Sequence, residues 1–262
     1  MRGFLVALST ELTKALKSKM LWVTFIFFAF IALMLGFLML IAKHPEIGEN
    51  SEVLSMKASL LSRADWPTFL GLLLQMVLTV GSMGSAIVAV WVFGREYADR
   101  TIKDILVLPV SRLNIVLAKL VIIFFWSLLL LMFLYVFAIF AGFAINLDGW
   151  TSELFRKNCI VYCISALLTV LLFPVISLIT CISRGYLLSV GIAILLLITT
   201  QFLYIGMPGI APYFPWTIPG LFSGVAGPFS PKPEAVSYII LGMTSLLGSA
   251  GTAAWWRYAD QH

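Results

Sequence analysis

The run LWVTFIFFAFIALMLGFLMLIA, residues 21–42, holds no charged side chain over 22 positions. It is apolar throughout, with no alternation, and so reads as a helix long enough to cross roughly 30 Å of hydrocarbon, which takes about 20 residues. Five further runs of this kind follow, at Thr68–Phe93, Ile115–Ile145, Asn158–Ile182, Tyr186–Met207 and Ala235–Trp256. Strands of a membrane barrel would need shorter segments of alternating polarity. The expected fold is therefore an all-α membrane protein with six transmembrane helices, residues 21–256 forming the core. A composition 61% hydrophobic and only 11% charged agrees with this. No connecting stretch is long enough for a separate soluble domain, so residues 1–262 are read as one transmembrane unit.

Lys and Arg in short loops are retained on the cytoplasmic side. With the N-terminus inside, eleven basic residues fall in the cytoplasm, Lys119 among them, and six outside. Seven of the twelve acids, including Glu46, Glu49, Glu52 and Asp65, then fall outside. Both termini are predicted to be cytoplasmic. The net charge of +5 is accounted for by this retention and by anionic headgroups, so no nucleic-acid partner is called for.

The first run is not a cleavable signal, because Lys43-His44-Pro45 follows it without a small-residue cleavage site. Ahead of it, Phe4, Leu5, Leu8, Leu12, Ala15 and Leu16 recur at helical spacing, with Thr10, Thr13, Lys14 and Lys17 largely on the other side. Residues 1–20 are expected to form an amphipathic helix on the cytoplasmic surface; a basic tail that only sets topology is the alternative.

Between the second and third runs lies GREYADRTIKDILVLPVSR, residues 94–112. Glu96 precedes Arg100 by four residues, Asp99 precedes Lys103 and Arg100 precedes Asp104 at the same spacing, which supports a short helix. Pro109 should end it and Ser111 should cap the next helix. Ile102, Ile105, Leu106 and Leu108 give this helix an apolar side that the loop cannot bury alone. Either the membrane surface or a partner must cover it.

This segment resembles the cytoplasmic loop of type-2 ATP-binding-cassette (ABC) transporter permeases, in which a Glu, a basic-Thr-Ile/Leu core and a Leu-Pro-x-Ser-Arg ending recur. The likeness extends to the basic N-terminal helix, the six spans and an external insertion between the fifth and sixth, and is strongest to permeases of bacitracin and lantibiotic-type peptide exporters. It implies that residues 96–109 form a coupling helix docked on a cytoplasmic ATPase subunit. Glu96, Arg100, Thr101, Lys103 and Asp104 would then lie at the ATPase contact. It also implies a second permease copy or a sister permease around the export path, a prokaryotic plasma membrane, and an amphipathic peptide or drug as substrate. The chain has no G-x-x-x-x-G-K-[ST] loop to hold nucleotide phosphates, so ATP and Mg would belong to the partner, and no cofactor is expected here. The competing reading of residues 94–112 is an ordinary solvated loop whose charges fix topology.

The remaining polar groups within the runs are few. Gln75 and Gln201 are candidates for a substrate route, or else for interhelical hydrogen bonds. An ion-coupled transporter usually carries buried acids or bases near mid-membrane. The runs are expected to hold none, which counts against that alternative. Gly81, Ser85 and Ala89, and separately Ser245, Ser249 and Ala253, recur every four residues as packing surfaces. Pro174 should kink the fourth span. Residues 208–233 carry seven of the eleven prolines together with Tyr213, Phe214, Trp216, Phe222 and Phe229. They should form broken or re-entrant structure at the outer interface, acting as a gate or as an aromatic anchor. The only histidines, His44 and His262, lie outside the runs, so no metalloprotease motif or intramembrane Ser/His pair can be assembled and an enzyme is disfavoured. Cys159, Cys163 and Cys181 read as small apolar residues rather than metal ligands. A scaffold or channel subunit without ATP coupling remains the alternative, and absence of an ATPase partner would favour it.

Overall fold

The computed structural model describes residues 2–44, 46, 63–99, 101, 110–227 and 230–258. Helix α1 (Arg2–Leu16) leads into α2 (Lys19–Lys43); α3 runs from Trp66 to Ala98 and α4 from Arg112 to Ala144. The fourth span is two helices, α5 (Ser152–Val170) and α6 (Phe173–Ser183), and α7 is Leu187–Gly206. A short helix α8 (Ile218–Ser223) precedes α9 (Ala235–Tyr258). Taking α5 with α6, six helices among the described residues are long and apolar enough to cross a membrane, as the sequence predicts. Among the described residues no strand forms; there is only an isolated bridge between Asp65 and Asp148.

Polar residues between the apolar runs set where the helices begin. Ser18, Asp65, Ser111 and Thr151 each accept from the backbone N–H three residues on, at 3.2, 3.0, 3.3 and 3.2 Å, satisfying donors a helix start leaves free. Ser111 is the cap expected from sequence. The fourth span breaks at Leu171–Leu172, just before Pro174, which has no N–H for the ladder. Span α3 holds a departure that its sequence does not announce, a π-helical turn over Val77–Gly81.

The two ends of the bundle are fastened differently. At the end away from α1, Lys43 Nζ donates to the carbonyls of Ile145, at 3.2 Å, and Asn146. The Trp66 N–H donates to Asp148 O at 2.9 Å there, and the Trp66 ring packs on Phe69, Phe143 and Trp150. At the α1 end, Arg112 donates to the carbonyls of Trp256 and Arg257, covering acceptors at the C-terminus of α9.

The segment after α7 is broken structure, as its prolines require. Two 3-10 turns, Ala211–Tyr213 and Pro215–Thr217, and α8 fold back onto α5, α7 and α9. Tyr204 Oη donates to Thr217 O at 2.9 Å, and its ring lies so close to Gly220 that a Cβ there would sit 2.7 Å from Tyr204 Cζ. Phe229 lies outside the described residues, as do most of the first external loop and residues 102–109 of the expected coupling helix.

One packing surface follows the expected stripe and one does not. Gly81, Ser85 and Ala89 are all buried. On α9 the buried face is Leu241, Gly248, Thr252 and Trp256, while Ser245, Ser249 and Ala253 flank it half-buried. Gly248 shifts the face, because only a residue without a Cβ lets α9 approach α6 this closely.

Candidate functional site

At the α1 end of the bundle, charged groups from three helices converge. Lys119, seven residues and thus about 10 Å along α4 from its start, is fully buried, and Glu11 and Glu96 are 4% and 3% exposed. Lys119 Nζ donates to Glu96 Oε1 at 2.8 Å, to Glu11 Oε2 at 3.1 Å and to the Val92 carbonyl at 3.3 Å. An ammonium has three donors, so each has its acceptor. Around this centre Arg95 Nη2 lies 2.7 Å from Glu11 Oε2, and Lys14 Nζ lies 3.1 Å from Glu11 Oε1 and 3.2 Å from Glu96 Oε1. Thr101 Oγ1 donates to Glu96 Oε2 at 2.7 Å. Two carboxylates are held among three cations, which is what burying such charges demands. The Arg95 guanidinium also sits 4.5 Å over the Trp91 ring.

Local sequence explains how α1 reaches this site. Ala7, Glu11 and Ala15, one turn apart, are its buried residues, and the two alanines let its backbone come close to α4. Leu5, Leu12 and Leu16 stay 61%, 46% and 58% exposed. The expected apolar face is thus divided: Leu5, Leu12 and Leu16 are exposed, Leu8 packs half-buried on the core, and an acid faces the protein.

Two sequence expectations are corrected here. The runs were expected to hold no buried acid or base, yet Lys119, within the run Ile115–Ile145, is fully buried, and α3 extends past its own run to bury Glu96 beside it. Glu96 was also expected to open a separate coupling helix, but it sits in the last turn of α3, with both carboxylate oxygens engaged internally. Of the other expected contact residues, Thr101 is half-buried against Glu96, while Arg100, Lys103 and Asp104 lie outside the described residues. Sequence reasoning missed Glu11 and Lys119. The available signal was an acid between alanines four residues away on either side, and a lysine inside an apolar run.

Burial alone would raise the Glu11 carboxyl, but Lys119, Lys14 and Arg95 together outweigh it and hold the group below its ordinary value. A depressed folded value means that Glu11 adds stability above the ordinary carboxylate pKa, and that this contribution is lost as pH falls through the lowered value. Glu11→Gln is therefore expected to unfold at a lower temperature than the parent at neutral pH. The gap should shrink towards zero on acidification below about pH 4. Thermal midpoints of both proteins against pH check this; a constant gap would refute it.

Gln75 and Gln201 are both exposed. Each lies one helical turn from a residue, Leu78 and Tyr204 respectively, that meets Gly220 of the infolded segment. Both residues lie on the surface, Gln75 on α3 and Gln201 on α7. Among the described residues no group of His, Cys, Asp and Glu is placed to hold a metal ion.

A family model described as ABC-2 family transporter protein matches residues 7–200. Bacitracin transport permease protein BCRB of Bacillus licheniformis is 26% identical over 196 residues, covering 74% of this chain and 92% of that protein. The family match takes in Glu11, Glu96 and Lys119 and ends one residue short of Gln201.

Proposed function

Because this chain belongs to the ABC-2 family of transporter proteins and is a multi-pass permease subunit, we propose that it forms the membrane path of an ATP-driven exporter powered by a separate cytoplasmic ATPase. The observation that carries this reading is the ionic node. Thr101, immediately before residues 102–109, is bonded to Glu96, and Glu96 is bonded to Lys119. A force applied to that loop would therefore reach α3, α4 and α1 together, without a slack connection between them. Arg100, Thr101, Lys103 and Asp104 are the proposed ATPase contacts, and Glu96 supports them from within. ATP and Mg would be held by the ATPase, in keeping with the absence of a nucleotide-binding loop in this sequence.

The proposed orientation puts the node in the cytoplasm, which follows the excess of Lys and Arg at that end. Exposed amides within apolar spans favour burial against something other than lipid. Gln75 and Gln201 would thus face a second permease copy or a sister permease, with the substrate between them. The relative named for bacitracin transport makes an amphipathic peptide the proposed cargo and a plasma membrane the proposed location.

The test is co-purification from native membranes in mild detergent, comparing the parent chain with Arg100→Ala/Lys103→Ala and with Lys232→Ala as a control at the far end. A stoichiometric ATPase whose recovery falls severalfold only in the loop variant is the expected result. No ATPase even after gentle crosslinking would remove the energy source and leave a channel or scaffold subunit.

A further inference from the structure

The two irregular turns described above, the π-helical turn Val77–Gly81 and the Leu171–Leu172 break, belong to spans that pack on one another. Each lies well inside its span, with eleven residues of α3 before the π turn and seventeen after it, and nineteen and eleven residues on either side of the break. At the break, and directly after the π turn, is a cavity of about 20 Å³, lined by Ser82, Ser85, Thr169, Leu172, Phe173 and Trp216 among others. That is the room of one water molecule.

Its polar lining is complementary to water in kind as well as size. Ser82 Oγ donates to Leu78 O at 2.5 Å, and Thr169 Oγ1 donates to Ser165 O at 2.8 Å. Both hydroxyls have therefore spent their proton and can only accept. Ser85 is 3% exposed, and its hydroxyl finds no hydrogen-bond partner among the described residues. It has a proton to give, and leaving a buried hydroxyl unpaired is costly. One water can accept from Ser85 and donate to Ser82 and Thr169, the three bonds typical of a buried water.

We propose that this cavity is a water-binding site shared by the two irregular turns, and that the water makes them a common hinge. Helix breaks and π turns have backbone groups outside the regular ladder. A small mobile ligand can exchange hydrogen bonds with them as the helices bend, which a packed side chain cannot do. The halves of α3 and of the fourth span nearer the node would then pivot together against the halves nearer the opposite face. This is independent of which substrate the permease carries, and of whether an ATPase drives it.

Radiolytic hydroxyl-radical footprinting of the purified chain tests the site, since ordered internal water labels the side chains beside it. Phe173 lines the cavity at 6% exposure, and Phe69, at 0%, is a buried aromatic away from it. The expected result is that Phe173 is oxidised an order of magnitude faster than Phe69. Ser85→Ala, which keeps the room and removes the donor, should lower that rate severalfold; Ser85→Val, which fills the room, should bring it to the Phe69 level. Equal slow labelling of both rings in the parent, or an unchanged Phe173 rate in Ser85→Ala, overturns the site. Amide exchange in lipid nanodiscs tests the hinge: Ser85→Val should slow peptides covering 77–86 and 170–176 together. Slowing of the first alone, or of neither, overturns the hinge. Should Ser85→Val fail to insert, Ser85→Ala decides both arms.

Discussion

Lys119→Ala should destabilise the folded chain by about 3–5 kcal/mol, the range for removing one partner of a buried ion pair. The ammonium it removes is fully buried and supplies three hydrogen bonds. Its loss leaves Glu11 and Glu96, both nearly inaccessible, with Arg95 and the partly exposed Lys14 as their remaining cations. The loss should be read as uncompensated charge rather than as lost packing. A triple change, Lys119→Met with Glu11→Gln and Glu96→Gln, removes the charges together and should restore most of the stability, because replacing all members of a buried pair or triad is often close to neutral. Tryptophan fluorescence on heating in detergent reads both. Equal destabilisation of the single and triple variants would show that shape, not charge, holds the node.

Gly248→Val should be the most damaging single change on α9. A Cβ at Gly248 would stand 2.7 Å from Val175 N, 2.8 Å from Pro174 C and 3.1 Å from Pro174 O. These are backbone atoms that no rotamer change can move away. Overpacking typically costs about 1–3 kcal/mol and here should reach or exceed the upper figure, since α6 and α9 must separate along their shared face. Two neighbouring glycines calibrate the effect. At Gly251 the obstacle is the Leu178 side chain at 2.8 Å, which can yield, and at Gly242 nothing lies within 4 Å. The expected order of destabilisation by valine is Gly248, then Gly251, then Gly242, measured as thermal midpoints of the purified variants. A Gly248 variant as stable as the Gly242 one would mean that α6 and α9 are not in contact as described.

The helices and the Ser111 cap were legible because each rests on local information: an uninterrupted apolar run, or a serine just ahead of one. Pro174 likewise announced its break through the bond it cannot make. Glu11 and Lys119 escaped notice for the opposite reason. They are 108 positions apart, and nothing local distinguishes a lysine that reaches out to the interface from one that finds two carboxylates inside. The π turn at Val77–Gly81 has no proline and no charge to mark it. The α9 face was displaced for a related reason. A four-residue stripe of small residues can be seen in sequence, but which of several adjacent stripes faces inward depends on the backbone opposite.

The node also imposes an order on synthesis. Glu11 is made early, Glu96 emerges near the end of the second span, and Lys119 comes only with the third. Until residue 119 has been made, the two acids await their central cation, and α1 lacks its ionic contact with α4. A chain cut short before that point would leave Glu11 and Glu96 without the ammonium that bonds both. The third span brings that cation, so the contact that fastens α1, α3 and α4 can close only once all three helices have been made.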